Sequence, residues 1–270
     1  MPLSEGFDMY TQVNDQKTFY SNGNGKIIQG QPNVVFIHGA GHDHSVWVMP
    51  SRYFARHHYN VFALDLPAHG RSAGTPLKSI DAMADWICAA LDVLDVDAAA
   101  IVGHSMGSLV ALNFSARYAS RTRVLALLGT STPMPVTDVL LNAARDNEHD
   151  AFDMANTWSH SPFGEMGGNE NPGISMMMSG QRLLERTPED VYFADLNACN
   201  AFADGDRLAT QITSESLMFV AAQDKMTAPA SALKVAQLIP QCRVIHLNPC
   251  GHAMLSEQPN AVLDGLASIV

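Results

Sequence analysis

The sequence predicts an α/β fold: a mostly parallel central sheet flanked by helices, with a helical segment inserted after the sixth strand. Three observations carry this. Short, continuous apolar runs alternate with longer amphipathic stretches over residues 34–129. The alternation stops at Pro133, and helical patterns and loops without a strand-like run continue to about Asp206. Two further apolar runs then follow before the C-terminus. Strands that are apolar on both faces and separated by helices belong to parallel sheets covered on both sides.

Before residue 34 the pattern is weaker. Residues 7–20 alternate and NGNG (22–25) is a turn signal, which together suggest an antiparallel strand pair at the sheet edge. VVFIH (34–38) reads as a strand, β-branched and aromatic, followed by glycine. Residues 45–57 fit a helix with Ser45 as its N-cap. NVFALD (60–65) is the next strand. Residues 79–95 form an amphipathic helix, with Ile80, Met83, Ala84, Ile87 and Leu91 on one face. AAAIVG (98–103) and VLALLG (124–129) are strands on either side of a helix from Met106 to about Tyr118. Within the insertion, residues 136–145, 151–158 and 188–202 have helical spacing, and GEMGGNENPG (164–173) is a loop. SLMFVAAQD (216–224) and CRVIHL (242–247) restore the strands. Helices follow over 228–239 and 257–270.

A chain of 270 residues, 47% hydrophobic, can bury one large core with an insertion. The expected division is core over 1–132, insertion over 133–210, and core again over 211–270. The net charge of −11 comes without a basic run and leaves no electrostatic footprint for nucleic acid or an anionic membrane. Cys88, Cys199, Cys242 and Cys250 form no CxxC pair and have no zinc-type spacing, so free thiols are expected. MPLSEGFDMYTQV lacks the basic and apolar regions of a signal peptide, and no apolar stretch approaches a membrane span. The expectation is a cytoplasmic protein. Its oligomeric state is left open, a homodimer among the options.

The informative stretch is AIVGHSMGSLVAL (100–112), where Ser105 stands between Gly103 and Gly107. G-x-S-x-G after a strand and before a helix holds a serine on a sharp turn above the sheet. Side chains at the two glycines would collide with the neighbouring strand and helix. The helix from Met106 aims free N–H groups toward a developing oxyanion. Serine needs a base. Of eleven histidines, His252 stands on a glycine-led loop after the last strand, where sheet-borne sites gather. His57 and His58 are expected at the surface, His246 in packing, and His104 pointing away from the serine. Asp224 ends a strand and would fix the tautomer of His252. An acid near Asp138 is the alternative.

Taken together, these segments resemble the α/β-hydrolase superfamily, in its serine-nucleophile, capped, esterase- or lipase-like branch. FIHGAGHDHSVW (36–47) resembles the oxyanion loop. LDLPAHGRS (64–72) resembles D-x-P-G-H-G-x-S, with Ala68 where glycine is usual. VGHSMGS is the nucleophile elbow, with Ser108 replacing a frequent glycine. AAQDKMTAP and GHAMLSEQP resemble the acid and histidine loops.

The resemblance implies that Ser105 attacks, His252 acts as base and acid, Asp224 orients it, and the N–H groups of Ala40 and Met106 form the oxyanion hole. It makes the insertion a cap. Met176, Met177 and Met178, with Met154, Trp158, Phe163, Tyr192 and Phe193, either line an acyl pocket or pack the cap. Trp158, Met226 and Met254 are the candidate substrate contacts.

The expected substrate is a small-to-medium apolar ester. C–C bond hydrolases, lactonases, thioesterases and perhydrolases share the triad. Ser105 argues against dehalogenases and epoxide hydrolases, which use aspartate. Ala253 and Met254 after His252 argue against a hydroxynitrile lyase. A non-catalytic receptor usually loses a triad member. No metal is expected at His38, His42, Asp43 and His44, and Gly39, Gly41 and Gly70 make no dinucleotide fingerprint. No cofactor is expected.

Overall fold

In the computed structural model, residues 9–168, 170 and 173–270 are described. The chain opens with an antiparallel hairpin of β1 (Tyr10–Val13) and β2 (Gln16–Ser21). Its turn is Asn14-Asp15, both residues left-handed at φ 50° and 61°, the conformation two-residue hairpins favour. The NGNG signal marks the exit from the hairpin, not its turn.

β3 (Asn33–Ile37) is followed by a 3-10 turn (His44–Trp47) and α1 (Val48–Arg56). The expected cap at Ser45 is corrected here: Asp43 is the cap, and its carboxylate accepts from the Ser45 N–H. The core continues through β4 (Asn60–Leu64), α2 (Ile80–Val93), β5 (Ala99–His104), α3 (Met106–Arg117) and β6 (Thr122–Leu128). The insertion contains α4 (Asp138–Arg145), α5 (Asp150–Ser159), α6 (Pro162–Glu165), α7 (Met176–Leu184), α8 (Val191–Ala201) and α9 (Gly205–Ala209). The loop expected over 164–173 therefore begins inside α6; Asn169, Asn171 and Pro172 lie outside the described residues. β7 (Glu215–Ala221), α10 (Pro229–Leu238), β8 (Cys242–Leu247), α11 (Met254–Glu257) and α12 (Pro259–Ala267) complete the fold. The single last helix expected over 257–270 is divided before Pro259, which has no N–H to continue α11 and starts α12 instead.

The sheet order is β1-β2-β4-β3-β5-β6-β7-β8. The hairpin joins antiparallel to β4, and every later pairing is parallel. Alternate residues of β3 enter opposite cores. Val35 and Ile37 pack under α2 and α3, while Val34 and Phe36 pack with Trp47, Phe54 and Leu266 on the other face. Both faces being covered explains why these strands read as unbroken apolar runs. The insertion has its own small core of Leu140, Leu141, Ala155, Leu184, Tyr192 and Leu196. α9 departs from this: Leu208 and Ala209 pack into the main core beside α3. All four cysteines are free thiols. Among the described residues no helix is long and apolar enough to cross a membrane.

Candidate active site

β5 ends at His104 and α3 begins at Met106, so Ser105 alone makes the turn, at φ 54° and ψ −122°. A non-glycine residue held there carries on the order of 1–3 kcal/mol of strain. The flanking glycines are required by contact. A Cβ on Gly103 would lie 2.1 Å from the Gly107 carbonyl oxygen, and one on Gly107 would lie 2.2 Å from that of Ile37. The Ser105 N–H donates to Leu128 O at 2.9 Å, tying the elbow to the end of β6. The buried Ser108 hydroxyl returns a bond to Ser105 O at 2.6 Å, a use for the residue that replaces glycine there.

His252 and Asp224 meet beside this turn. His252 Nδ1 is 2.8 Å from Asp224 Oδ2, the bond that leaves Nε2 as the base nitrogen. Asp224 Oδ1 accepts from the N–H groups of Met226 and Thr227, and the Thr227 hydroxyl donates to Oδ2 at 2.7 Å. Burial pushes the Asp224 carboxyl up, but the charge and hydrogen bond of His252, with the Thr227 bonds, outweigh it and hold it below the ordinary carboxylate value. Gly129, next to Leu128, makes room for the imidazole: a Cβ there would lie 2.8 Å from His252 Cε1. Ser105 and His252 thus converge on the same corner at the end of β6. Among the described residues the Ser105 hydroxyl makes no hydrogen bond, as is common before substrate arrives. Asp138 is exposed at the start of α4 and makes no bond to a histidine among the described residues.

The His104 ring turns toward His252. Its Nε2 bonds His252 O at 2.9 Å, and its ring centroid is 4.9 Å from that of His252. Burial first, then the charges of His252 and His42, lower its pKa to about 3. His104 is therefore neutral and supports the His252 main chain.

The oxyanion-type loop is pinned on both sides of Ala40. The His38 ring accepts the Leu66 N–H at 3.1 Å and bonds Gly39 O at 2.9 Å. The Gly41 N–H donates to Asp195 Oδ2 at 2.9 Å, and Gly41 O accepts the Thr187 hydroxyl at 2.8 Å. Asp195, fully buried on α8, also pairs with His69 Nε2 at 2.8 Å. The other His69 nitrogen faces Pro67 O at 3.0 Å, so both nitrogens meet acceptors. Burial lowers the His69 pKa, but the charge and bond of Asp195 win and raise it.

A second buried acid, Glu257, accepts from the Gly251 N–H at 3.0 Å and from the Ser161 hydroxyl. Sequence reasoning missed Asp195, Thr187 and Glu257. A usable signal existed for Asp195: an acid on the same helical stripe as Val191, Tyr192, Leu196 and Cys199.

Two cavities flank the corner. One, about 90 Å³, is lined by Ser105, Ala40, Trp158 and Met226 among others. The other, about 450 Å³, is lined by His252, His104, His42 and Met176 among others. Trp158 and Met226 therefore face the space next to Ser105. Met254 is corrected: it is 1% exposed and packs in the core with Phe36 and Trp47, because α11 turns its side chain toward the sheet while Ala253 and Leu255 line the larger cavity. Of the three consecutive methionines, Met176 reaches that cavity and Met178 is half exposed.

Of His38, His42, Asp43 and His44, the last two lie together with Asp65. Ligand-type atoms of Asp43, His44 and Asp65 lie within 4.8 Å of one another, but both carboxylates already accept from backbone N–H groups and brace the loops.

The family model for the alpha/beta hydrolase fold matches residues 32–259. The chain belongs to the alpha/beta hydrolase family. It is 25% identical over 250 residues to 3-oxoadipate enol-lactonase 1 of Acinetobacter baylyi, covering 90% of each chain. It is 32% identical over 101 residues to the (E)-2-((N-methylformamido)methylene)succinate hydrolase of the same organism, covering 37% of this chain and only 38% of that relative. The solved enol-lactonase of Burkholderia xenovorans LB400 superposes with a TM-score of 0.85 at 22% identity, over 96% of this chain and 98% of that one.

Proposed function

We propose that the protein is a serine hydrolase that cleaves a carboxylic ester of a small-to-medium, mostly apolar substrate through an acyl-enzyme. The observation that carries this is the His252–Asp224 bond beside a serine held at φ 54° on a strand-to-helix turn. Ser105 Oγ attacks the carbonyl carbon, and its proton passes to His252 Nε2. The N–H groups of Ala40 and Met106 hold the oxyanion, each such donor worth on the order of 3 kcal/mol. As the carbon–oxygen bond breaks, His252 returns the proton to the leaving oxygen. Water, deprotonated by His252, then releases the acid and restores Ser105. Asp224 keeps Nδ1 protonated and stabilises the imidazolium throughout.

A lactone is opened by the same steps with the leaving oxygen tethered to the acyl group. The match to an enol-lactonase along nine-tenths of the chain favours this as the second reading.

The test is labelling with a fluorophosphonate alongside hydrolysis of p-nitrophenyl esters. Labelling at Ser105 with ester turnover, both abolished in a folded Ser105→Ala variant, is the expected result. Unchanged turnover in Ser105→Ala would remove the mechanism. Labelling without ester turnover would direct the search to lactones, thioesters or C–C bonds, and no labelling would favour a ligand receptor.

A further inference from the structure

We propose that the two cavities divide the substrate unequally: the 90 Å³ space beside Ser105 takes a short acyl chain, and the 450 Å³ space beside His252 takes a bulky, uncharged leaving group. This rests on the serine-hydrolase reading and adds the substrate class to it. The assignment of sides follows from the chemistry. In the acyl-enzyme the carbonyl carbon is bonded to Ser105 Oγ, and its oxygen faces Ala40. The acyl chain therefore starts in the space that Ser105 lines, the smaller of the two. His252 protonates the leaving oxygen, so the group attached to that oxygen projects into the space on the His252 side.

The volumes set the sizes. The space beside His252 is about 450 Å³ against about 90 Å³ beside Ser105, which suits a bulky group on the first side and a short acyl chain on the second. The small space has apolar walls, including Met134, Leu140, Trp158 and Leu196, and opens past Pro135, Thr137 and Lys225. Toward Leu140 and Leu196, longer acyl chains would have to displace the insertion core to which both belong.

The large space has walls of Met49, Met176, Leu183 and Leu255 together with histidine rings. Burial lowers the His42 and His104 pKa values to about 4 and about 3, so neither ring offers a cation near neutral pH. The two arginines on its lining are engaged by acids, Arg182 with Glu185 at 2.6 Å and Arg186 with Asp43 at 3.7 Å. Such walls suit an apolar, uncharged alcohol.

Two ester series test this. With p-nitrophenyl esters from acetate to decanoate, kcat/KM should be highest at acetate to butyrate and fall by about tenfold for each methylene beyond the space available. With alkyl acetates of matched alcohol acidity, 2-phenylethyl acetate should exceed ethyl acetate by at least about tenfold. Met226→Ala should move the acyl optimum to longer chains. Leu183→Trp should lower the 2-phenylethyl to ethyl ratio.

An optimum at octanoate or decanoate, or ethyl acetate as good as 2-phenylethyl acetate, overturns the assignment. So does Met226→Ala acting on the alcohol series instead of the acyl series. If fluorophosphonate labels Ser105 while these preferences come out reversed, only the assignment of sides fails. If neither labelling nor turnover of any ester is seen, the hydrolase reading fails with it.

Discussion

Ser105 accepts a left-handed backbone because its neighbours are glycines whose missing Cβ atoms let β3 and α3 close around the turn. Ala68 has no such excuse. It replaces the glycine usual in the D-x-P-G-H-G segment, yet it adopts φ 69°. A left-handed alanine costs roughly 1–2 kcal/mol, and glycine returns about 0.5–1 kcal/mol of that as chain entropy. Ala68→Gly should therefore raise stability by about 0.5–1 kcal/mol in urea denaturation. A loss would mean that the Ala68 methyl makes packing contacts worth more than the strain. At the acid, Asp224→Asn keeps the acceptor for the Met226 and Thr227 N–H groups but can no longer stabilise the imidazolium or enforce the His252 tautomer. A drop in kcat of about four orders of magnitude with normal folding is expected. A change of a few-fold would show that His252 is oriented by other contacts.

At the scale of elements, the insertion is fastened to the loops on which the chemistry would depend. α8 supplies Asp195 to Gly41 and His69, and the end of α5 with the residues after it is joined to the histidine loop by Glu257–Ser161 and by Ala253 N–H to Ser159 O at 2.8 Å. Removing one partner of a buried pair strands the other charge, typically at a cost of about 3–5 kcal/mol. Asp195→Ala should show a loss of that size in urea. Because the folded His69 pKa is raised, the pair stabilises fully below the unfolded histidine value and loses its contribution as pH rises through the folded value. The deficit of Asp195→Ala should thus be larger at pH 6 than at pH 9; equal deficits would mean that the Gly41 bond carries it. These fastenings also mark the limit of what could be read from sequence. Strand and helix periodicity located β3 to β8 and the elbow, since both are local patterns. Ser105, His252 and Asp224 were legible because each sits at a strand's carboxyl end in a distinctive loop. Asp195 and Glu257 were not, because their partners Gly41 and Ser161 lie 154 and 96 positions away in the chain. Met254 was misplaced because nearness to His252 in sequence says nothing about which way a four-residue helix turns its side chain.

For the whole molecule, the dominant electrostatic feature is a set of histidines buried in the neutral form. Burial, reinforced by neighbouring histidine charges, depresses His38 well below its ordinary value, His42 to about 4 and His104 to about 3. In the unfolded chain each takes up a proton near pH 6.5. Between that pH and the depressed native values, the unfolded state binds more protons, so stability rises with pH and is lost on acidification. Each such proton contributes a slope of about 1.4 kcal/mol per pH unit. His69 acts in the opposite sense, and its window lies above the unfolded histidine value. Asp224, with its lowered pKa, adds loss only below the ordinary carboxylate range. The free energy of unfolding, followed by urea denaturation in closely spaced buffers, should therefore fall steeply from pH 6.5 toward pH 4, before carboxylate protonation dominates. His42→Phe removes one of the protons and should flatten the slope in that interval by about 1.4 kcal/mol per pH unit, whatever it does to stability at pH 8. A slope unchanged by His42→Phe would mean that His42 binds its proton in the folded protein as readily as in the unfolded one, and that the larger cavity presents a cation to its ligand.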